Sequence, residues 1–317
     1  MIEVTVTDKQ PLTASICRLQ LAAADGSALP AWQAGAHIDV HLPNGIIRQY
    51  SLCGALNSNS CYEIAILNEP DGRGGSKYIH NDLQQGDRLT ISAPKNLFPL
   101  VPGTNNTLLI AAGIGITPIL AMAEQLHADE QPFELHFCAR DQQHAAYYER
   151  IAQSGYASHC QFHFSLGNSQ NRLNPHQLLA DYNKDTQLYI CGPNPFIQDV
   201  ISAAEQHGWP TANIHREFFA AEAIDHSQDQ SFEVVINSTG QVLEVGKDVS
   251  ILNVLEDNGM FIPVACEEGV CGTCITGLLE GEADHKDVFL SADEKQKMDQ
   301  ITPCCSRAKS KRLVLDL

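Results

Sequence analysis

Four cysteines constrain this chain more than any other feature of its sequence. Cys266, Cys271 and Cys274 form the pattern C-x4-C-x2-C, and Cys304 follows on a separate segment. This is the spacing that holds a [2Fe–2S] cluster, because three thiolates on one tight loop and a fourth from a distant segment can enclose two irons. The sequence therefore predicts an iron–sulfur centre with these four cysteines as its ligands.

Two alternatives to this ligand set stand beside it. Cys305 is next to Cys304 and could supply the fourth thiolate, but the spacing and the run 303–307 favour Cys304. A zinc site is the second alternative, and such sites more often combine one C-x2-C pair with another pair or with histidines. Gly269 and Gly272 also fit a cluster loop, because glycine lets the backbone turn close to the sulfurs.

The composition limits the classes of protein that this chain can form. Its 317 residues are enough for two or three domains, and a hydrophobic fraction of 44% is ample for packed cores. The net charge of −18 argues against nucleic acid or an anionic membrane surface as a partner. Solubility explains such a charge, and so does an acidic docking face for a basic redox partner. The total charge does not separate these two interpretations.

Hydrophobicity and cysteine use predict the cellular compartment. No apolar run is long enough for a transmembrane helix, and the first eight residues alternate like a β-strand without signal-peptide features. Eleven cysteines, an odd number without a disulfide-like layout, fit a reducing compartment. We therefore expect a cytoplasmic protein that contacts no membrane.

Residues 1–103 contain short strand-like segments separated by Gly, Pro, Asn and Asp, which predicts a small antiparallel β-barrel. Two motifs lie in it: Arg-x-Tyr-Ser at 48–51, on a strand, and a glycine-rich turn at 72–76, before a short helix. Such a turn presents free N–H groups to a phosphate. The guanidinium of Arg48 can add a positive charge with paired N–H donors. Tyr50 can pack on a flat ring, and Ser51 can hydrogen-bond the edge of that ring. Each motif alone is a weak signal.

Residues 104–222 alternate strands with helices, which predicts a parallel sheet with ligands at the carboxyl ends of its strands. Gly113 and Gly115 lie where the first strand meets a helix, so a pyrophosphate could approach the backbone there. Position 118 is proline, and the full dinucleotide fingerprint is therefore absent. Cys191-Gly192-Pro193 ends another strand on the same edge. Taken alone, Cys191 is better explained as a small buried residue.

The remaining sequence predicts a linker and a third domain. Residues 223–230 are polar and poor in large apolar side chains, which indicates a linker. A hairpin, a helix that begins after Ser250, the cysteine loop and a final strand follow within residues 231–317. This order is typical of a β-grasp fold.

Taken together, the motifs resemble known families. Arg-x-Tyr-Ser with its glycine turn, and Gly-x-Gly-x-Thr-Pro (113–118) with the later Cys-Gly-Pro (191–193), resemble the ferredoxin–NADP reductase superfamily. Residues 215–219 resemble its terminal His-x-Glu-x-Phe, and residues 231–317 resemble a plant-type ferredoxin along their whole length. The order of flavin barrel, nicotinamide domain and C-terminal ferredoxin is similar to the phthalate dioxygenase reductase family, which includes the reductases of vanillate demethylase and carnitine monooxygenase.

The resemblance implies a multidomain α+β protein: an antiparallel β-barrel flavin domain, an α/β parallel-sheet nucleotide-binding domain and a β-grasp [2Fe–2S] ferredoxin domain. It implies FMN, NADH and a [2Fe–2S] cluster as cofactors, and the Rieske centre of a separate oxygenase as electron acceptor. FMN is favoured over FAD by the family and because no adenine platform is evident. Catalytic roles are implied for Ser51, Thr117, Cys191, Glu217 and Phe219. Cofactor binding is implied for Arg48, Tyr50, Ser51, Gly74, Gly75, Ser76, Gly113, Gly115, Thr117, Pro118, Cys191, Gly192, Pro193 and Phe219.

The same resemblance implies positions for several of these side chains. Ser51 is expected near the reactive N5 edge of the flavin, and Phe219 is expected to cover its ring. Thr117 and Cys191 are expected to bracket the nicotinamide, with Glu217 near it.

Three questions stay open at the level of sequence. The same donor domains serve P450 and diiron oxygenases, so the partner could be one of these. A protein that holds a cluster or zinc without turnover is the competing class, and it would carry no flavin. Arg140 could meet the 2′-phosphate of NADPH while Asp141 would oppose it, and family precedent favours NADH.

Overall fold

The computed structural model describes residues 1–317 apart from positions 44, 57, 105, 182, 184 and 220–228. It divides into two compact units, Met1–Glu217 and Phe218–Leu317. Most of the linker predicted at 223–230 lies outside the described residues. No helix in the described part of the chain is long and apolar enough to cross a membrane.

An antiparallel sheet of seven strands forms the first part of the first unit, in the order β4-β3-β6-β1-β2-β5 with β7 paired to β3. Hydrophobic side chains alternate along β2, so that Leu19 and Leu21 are fully buried while their neighbours are partly exposed. The strands are β1 (Ile2–Pro11), β2 (Ile16–Ala23), β3 (Ala36–His41), β4 (Ile47–Ser51), β5 (Tyr62–Leu67), β6 (Arg88–Ile91) and β7 (Lys95–Asn96).

The two outer strands of this order, β4 and β5, are joined just beyond Ser51. Leu52 forms an isolated antiparallel bridge with Ile64, and the backbone N–H of Cys53 donates to Glu63 O at 3.0 Å. The sheet therefore closes on itself, which confirms the predicted antiparallel barrel. Helix α1 (Gly75–Asn81) lies between β5 and β6 in the chain.

A five-stranded parallel sheet with crossover helices completes the first unit, as predicted, in the order β10-β9-β8-β11-β12. Helix α2 begins at Ile116 and contains Pro118, because proline is tolerated in the first turn of a helix. The strands are β8 (Asn106–Ala112), β9 (Phe133–Ala139), β10 (Cys160–Phe164), β11 (Thr186–Cys191) and β12 (Ile214–Glu217). The helices are α2 (Ile116–Ala128), α3 (Tyr148–Ala152), α4 (Pro175–Leu179) and α5 (Asn194–Gln206).

Arg150 on α3 joins the parallel-sheet layer to the barrel. Its guanidinium donates to both carboxylate oxygens of Glu124 on α2, each at 2.8 Å, and to Glu63 on β5 at 2.9 Å. One continuous apolar core, which includes Leu21 of the barrel and Leu109 of the parallel sheet, lies on both sides of this network. The two layers are therefore held together by packing and by charge-assisted hydrogen bonds.

The second unit is built around a mixed sheet in the order β14-β13-β19-β15-β17. β13 and β14 form an antiparallel hairpin, and β13 pairs with β19 in parallel. Ser250 caps α6 by accepting a hydrogen bond from Asn253 N at 3.1 Å, as the sequence predicts. The predicted β-grasp arrangement is confirmed. Its elements are β13 (Phe232–Ile236), β14 (Val242–Val245), α6 (Ile251–Asp257), β15 (Thr276–Glu280), β16 (Ala283–Asp284), α7 (Ala292–Lys297), β17 (Gln300–Ile301), β18 (Arg307–Ala308) and β19 (Arg312–Leu315).

Candidate functional site

Two loops of the parallel sheet meet where the strand order reverses, between β8 and β11. β8 runs into Gly113-Ile114-Gly115, and β11 ends at Cys191. A Cβ atom on Gly115 would lie 2.6 Å from the Gly192 nitrogen and closer still to the Cys191 carbonyl. The two loop backbones are therefore in direct contact, which requires glycine at position 115. Open α/β sheets bind ligands in this crevice, so the predicted dinucleotide loops stand together at the expected place.

Three of the predicted catalytic side chains converge at the same edge. Glu217 ends β12, and its neighbour in the parallel register is Cys191. Ser51, at the end of barrel strand β4, donates a hydrogen bond from Oγ to Glu217 Oε2 at 3.4 Å. Ser51 and Cys191 are buried, with 5% and 0% of their surface exposed. The barrel and the parallel sheet therefore contribute side chains to one site.

Burial leaves these side chains largely uncharged near neutral pH. It raises the pKa of the Glu217 carboxyl from 4.5 to about 8, and the hydrogen bond from Ser51 opposes only part of that shift. Burial, with the Glu217 carboxyl nearby, holds the pKa of the Cys191 thiol well above its ordinary value. Cys191 is therefore a thiol, a state suited to packing against a ring and unsuited to nucleophilic attack.

Arg48 packs against the glycine-rich turn that precedes α1. A Cβ atom on Gly75 would lie 2.8 Å from Arg48 Cγ and 3.2 Å from its Nε, so the absent side chain is what lets Arg48 approach. Gly74 has a φ of 96°, a left-handed conformation that favours glycine. The Ser76 hydroxyl accepts a hydrogen bond from the backbone N–H of Glu69 at 3.1 Å. The structure therefore brings Arg48, Gly74, Gly75 and Ser76 together.

The remaining predicted site residues of the first unit are Tyr50, Thr117, Pro118 and Pro193. Tyr50 is partly exposed as a residue, yet burial of its ring raises the pKa of the phenol above the ordinary value. Thr117 is 2% exposed and donates from Oγ1 to Ile114 O at 3.0 Å, so its hydroxyl is engaged within its own loop. Pro118 is buried in the first turn of α2, and Pro193 is the N-cap residue of α5.

Phe219 is not among the side chains that the first unit brings together. It falls in the second unit, two residues after Glu217, and 37% of its surface is exposed. Its expected position over a flavin ring stays a prediction.

The four predicted metal ligands lie together in the second unit, and all are buried. The Sγ atoms of Cys274 and Cys304 are 3.3 Å apart, and the Cys266 thiol is within hydrogen-bonding reach of Cys271 and Cys304. Among the described residues, no group of three or more Cys, His, Asp or Glu side chains is arranged to hold a single ion. A [2Fe–2S] cluster with four cysteines takes only two from the protein at each iron, so thiols that meet in pairs fit it.

Cys305 has different neighbours from Cys304. Its Sγ contacts Thr302 Oγ1 at 3.4 Å, and a Cβ atom on Gly269 would lie 2.5 Å from it. Cys304 is the residue that contacts both Cys266 and Cys274. This difference supports Cys304 as the fourth ligand.

A cavity of 990 Å³, which the sequence does not predict, lies in the first unit between the barrel and the carboxyl ends of β9 and β10. Asp141 follows β9, and its carboxylate lies 2.7 Å from His144 Nδ1. Tyr148 packs against Phe164 with ring centroids 6.0 Å apart. The ends of β9 and β10 are the sequence signal that could have indicated this cavity. Its aromatic wall could not be predicted, because that wall depends on how α3 packs. Residues that line the cavity include Pro11, Leu12, Asp141, Tyr148, Phe164 and Leu166.

Two protein families match parts of this chain. The family described as "2Fe-2S iron-sulfur cluster binding domain" matches residues 234–309. The family described as "Dimethylamine monooxygenase subunit DmmA-like, N-terminal domain" matches residues 94–214. The first match contains all four predicted ligands, and the second contains both dinucleotide loops.

Similar proteins extend the likeness to the whole chain. A vanillate O-demethylase oxidoreductase of Pseudomonas sp. (strain HR199 / DSM 7063) is 50% identical over 317 residues, 100% of both chains. A carnitine monooxygenase reductase subunit of Escherichia coli (strain K12) is 41% identical, over 100% of this chain and 98% of its own. A phthalate 4,5-dioxygenase reductase subunit of Pseudomonas putida is 37% identical, over 98% of this chain and 95% of its own.

Solved structures show the same architecture. A phthalate dioxygenase reductase superposes with a TM-score of 0.77 at 35% identity, over 100% of this chain and 98% of that one. An intact type IV self-sufficient cytochrome P450 monooxygenase superposes with a TM-score of 0.88 at 33% identity, over 100% of this chain and 41% of that one. From sequence, fold and site together, this chain belongs to the phthalate dioxygenase reductase family of NADH-dependent iron–sulfur flavoprotein oxidoreductases.

Proposed function

We propose that this chain is the reductase component of a two-component Rieske-type oxygenase, and that it passes electrons from NADH through FMN and a [2Fe–2S] cluster singly to that oxygenase. The observation that carries the proposal is that one chain combines a buried neutral site at a dinucleotide crevice with a paired four-cysteine site. The names of the relatives support an oxygenase that acts on an aromatic acid or a carnitine-like substrate.

The residues of the first unit fit a flavin mononucleotide. The left-handed glycine turn and Arg48 lie together, so backbone N–H groups and a positive charge are available there for a phosphate. A flavin held there would accept a hydride as two electrons and release them one at a time, which a single-electron iron–sulfur centre requires. Ser51 and Cys191 are buried beside the neighbouring site. The Glu217 carboxyl holds its proton at neutral pH.

The aromatic cavity near Asp141 fits the adenosine end of NADH. It lies at the carboxyl ends of two strands beside the crevice, where the second half of a dinucleotide is bound in such sheets. The Asp141 carboxylate can accept from ribose hydroxyls and repels a 2′-phosphate, which favours NADH over NADPH.

The domain boundaries belong to this proposal. Residues 1–103 bind FMN, residues 104–222 bind the nicotinamide nucleotide, residues 223–230 connect them to the last domain, and residues 231–317 hold the cluster. The separate sheets within the chain and the two family matches support this division.

A reductase for a cytochrome P450 is the second candidate function. The self-sufficient cytochrome P450 monooxygenase contains a segment that superposes on the full length of this chain, with a TM-score of 0.88. The curated relatives over the whole chain are named instead as reductases of vanillate O-demethylase, carnitine monooxygenase and phthalate dioxygenase, which favours the first candidate.

The test is an anaerobic titration with NADH, followed in the visible spectrum and by EPR. We expect uptake of about three electrons, two on the flavin and one on the cluster. Cys304→Ser should lose the cluster signal while the flavin is still reduced, and Cys305→Ser, the matched control, should keep both signals. The proposed function is contradicted if NADH does not bleach the visible absorbance of the protein, or if the protein binds only zinc. Loss of the cluster in Cys305→Ser alone would contradict the choice of Cys304.

A further inference from the structure

Asp287 is a buried acid that no part of the proposed electron route uses. It lies outside the cysteine motif, and its side chain has no exposed surface. Its Oδ2 accepts a hydrogen bond from Leu290 N at 2.8 Å, and the hydroxyl oxygens of Thr302 and Ser306 lie 3.3 and 3.4 Å from its Oδ1. A buried carboxylate with three such polar contacts is firmly placed.

These contacts connect Asp287 to the segment that carries the fourth cysteine. Thr302 precedes Cys304 by two residues, and Ser306 follows it by two. The Thr302 and Ser306 hydroxyl oxygens are also 2.7 Å apart, so the carboxylate and the two hydroxyls form one hydrogen-bonded group. Asp287 therefore fixes this segment on both sides of Cys304.

Asp287 also contacts the loop that carries the other three cysteines. A Cβ atom on Gly269, which lies between Cys266 and Cys271, would be 2.9 Å from Asp287 Cα. The next residue, Val288, donates from its backbone N–H to Gly269 O at 3.1 Å. The two cysteine-bearing segments, which are distant in sequence, thus meet on one residue.

The charge of Asp287 is only partly balanced. Lys295 Nζ lies 3.8 Å from Oδ2 and donates to the Asp287 backbone carbonyl, with 28% of its own side chain exposed. Among the described residues, the buried His285 ring is the other basic group that faces the carboxylate, with Nδ1 3.5 Å from Oδ1. Both basic nitrogens lie within ion-pair distance of the carboxylate, so they offset part of its effect on the two cysteine segments without a direct hydrogen bond to it.

We propose that Asp287 is a positioning residue that fixes the Cys304 segment against the Cys266–Cys274 loop and, through its charge, keeps the reduction potential of the cluster low. Reduction adds an electron to the cluster, and a buried negative charge nearby opposes that addition. The hydrogen bonds of Asp287 position the Cys304 segment, and its charge lowers the reduction potential of the cluster. This inference rests on the cluster site of the proposed function.

The test compares Asp287→Asn with Asp284→Asn in the full chain with its cofactors. Asp284 is a matched control because it is three residues away, 31% exposed and paired with Lys286 at 2.9 Å. The first readout is the midpoint potential of the cluster from an EPR-monitored redox titration. We expect the reduction equilibrium constant of Asp287→Asn to rise by about tenfold or more, which is about 59 mV for one electron. Asp284→Asn should change it by less than about twofold.

The second readout is the rate at which a chelator removes iron from the protein. Asp287→Asn should lose iron faster than the wild type, since the NH2 group of the amide replaces one of the two carboxylate oxygens that accept hydrogen bonds. Thr302→Val removes one bond and keeps the charge, so it should lose iron faster at an unchanged potential. If Asp287→Asn is isolated without iron, Thr302→Val decides: faster iron loss supports the proposal, and retention like that of the wild type overturns it.

Several other results would overturn the inference or the proposed function. A wild-type potential and iron-loss rate in Asp287→Asn overturns the inference, as does an equal shift in Asp284→Asn. A wild-type protein without a [2Fe–2S] signal overturns the proposed function together with this inference, whereas a wild-type cluster with an unaffected Asp287→Asn overturns the inference alone.

Discussion

At the scale of the residue, Glu217 is notable because burial raises the pKa of its carboxyl and Ser51 donates a hydrogen bond to it. The His-x-Glu-x-Phe motif predicts that Glu217 lies near the nicotinamide. Its protonation state was not predictable, because that state depends on burial and on Ser51, which comes from a distant strand. Asp287 was missed altogether, since it has no motif and its partners are distant in sequence.

The raised pKa of Glu217 predicts how stability changes with pH. The pKa of the Glu217 carboxyl moves from 4.5 in the unfolded chain to about 8 in the folded one. The protonated carboxyl therefore stabilises the folded state fully below pH 4.5. That stabilisation is lost as the pH rises through this window. Glu217→Gln removes the titration, so between pH 6 and 8 its free energy of unfolding should gain about 2 kcal/mol relative to the wild type.

Urea unfolding of both proteins at several pH values measures this difference. Glu205→Gln, at an exposed position on α5, is the control and should keep a constant difference from the wild type. A difference between Glu217→Gln and the wild type that does not vary with pH would show that Glu217 is ionised in the folded protein at neutral pH.

At the scale of the element, regular segments were predictable and very short ones were not. The hairpin of β13 and β14 and the Ser250 cap followed from alternation and from an N-cap residue. Strands β16, β17 and β18 have two residues each, which is too short for any periodic signal. They form because their partners across the sheet are already placed by the surrounding fold.

At the scale of the element, Gly115 is a position where the addition of one methyl group should have a large effect on stability. Alanine there would place its Cβ against the backbone of β11, which cannot move aside as a side chain can. We expect Gly115→Ala to destabilise the protein by about 1–3 kcal/mol and to slow flavin reduction by NADH. Calorimetry and stopped-flow absorbance measure the two effects. Gly246→Ala is the control, because its Cβ would meet no atom within 4 Å; equal melting temperatures of the two variants would contradict the steric argument.

At the scale of the whole molecule, the order of three domains was predictable because each carries its own motif. The four cysteines, the Gly-x-Gly loop and the Arg-x-Tyr-Ser strand lie far apart in sequence and point to three different ligands. The cavity near Asp141 was not predictable, because residues of the barrel and of the parallel sheet line it together.

The net charge of −18 leads to a prediction about partner association. If the oxygenase presents a basic surface, electrostatic steering should accelerate the encounter, and salt should screen it. The second-order rate of electron delivery should fall about tenfold between about 20 and 300 mM salt in stopped-flow mixing. Reduction of the chain's own cluster by its flavin is the control and should vary little. A delivery rate that is constant or that rises with salt would exclude an acidic docking surface.

The bridge between Leu52 and Ile64 has a consequence for the protein during purification. It closes the barrel one residue after Ser51, so the strand expected to hold the flavin is also the strand at the seam. A ligand bound to that strand raises the free energy of opening the seam in proportion to the logarithm of its concentration. Protein that has lost its flavin would open there more often and expose two unpaired strand edges, which are templates for aggregation. Supplementing buffers with flavin should therefore preserve monodispersity as well as activity.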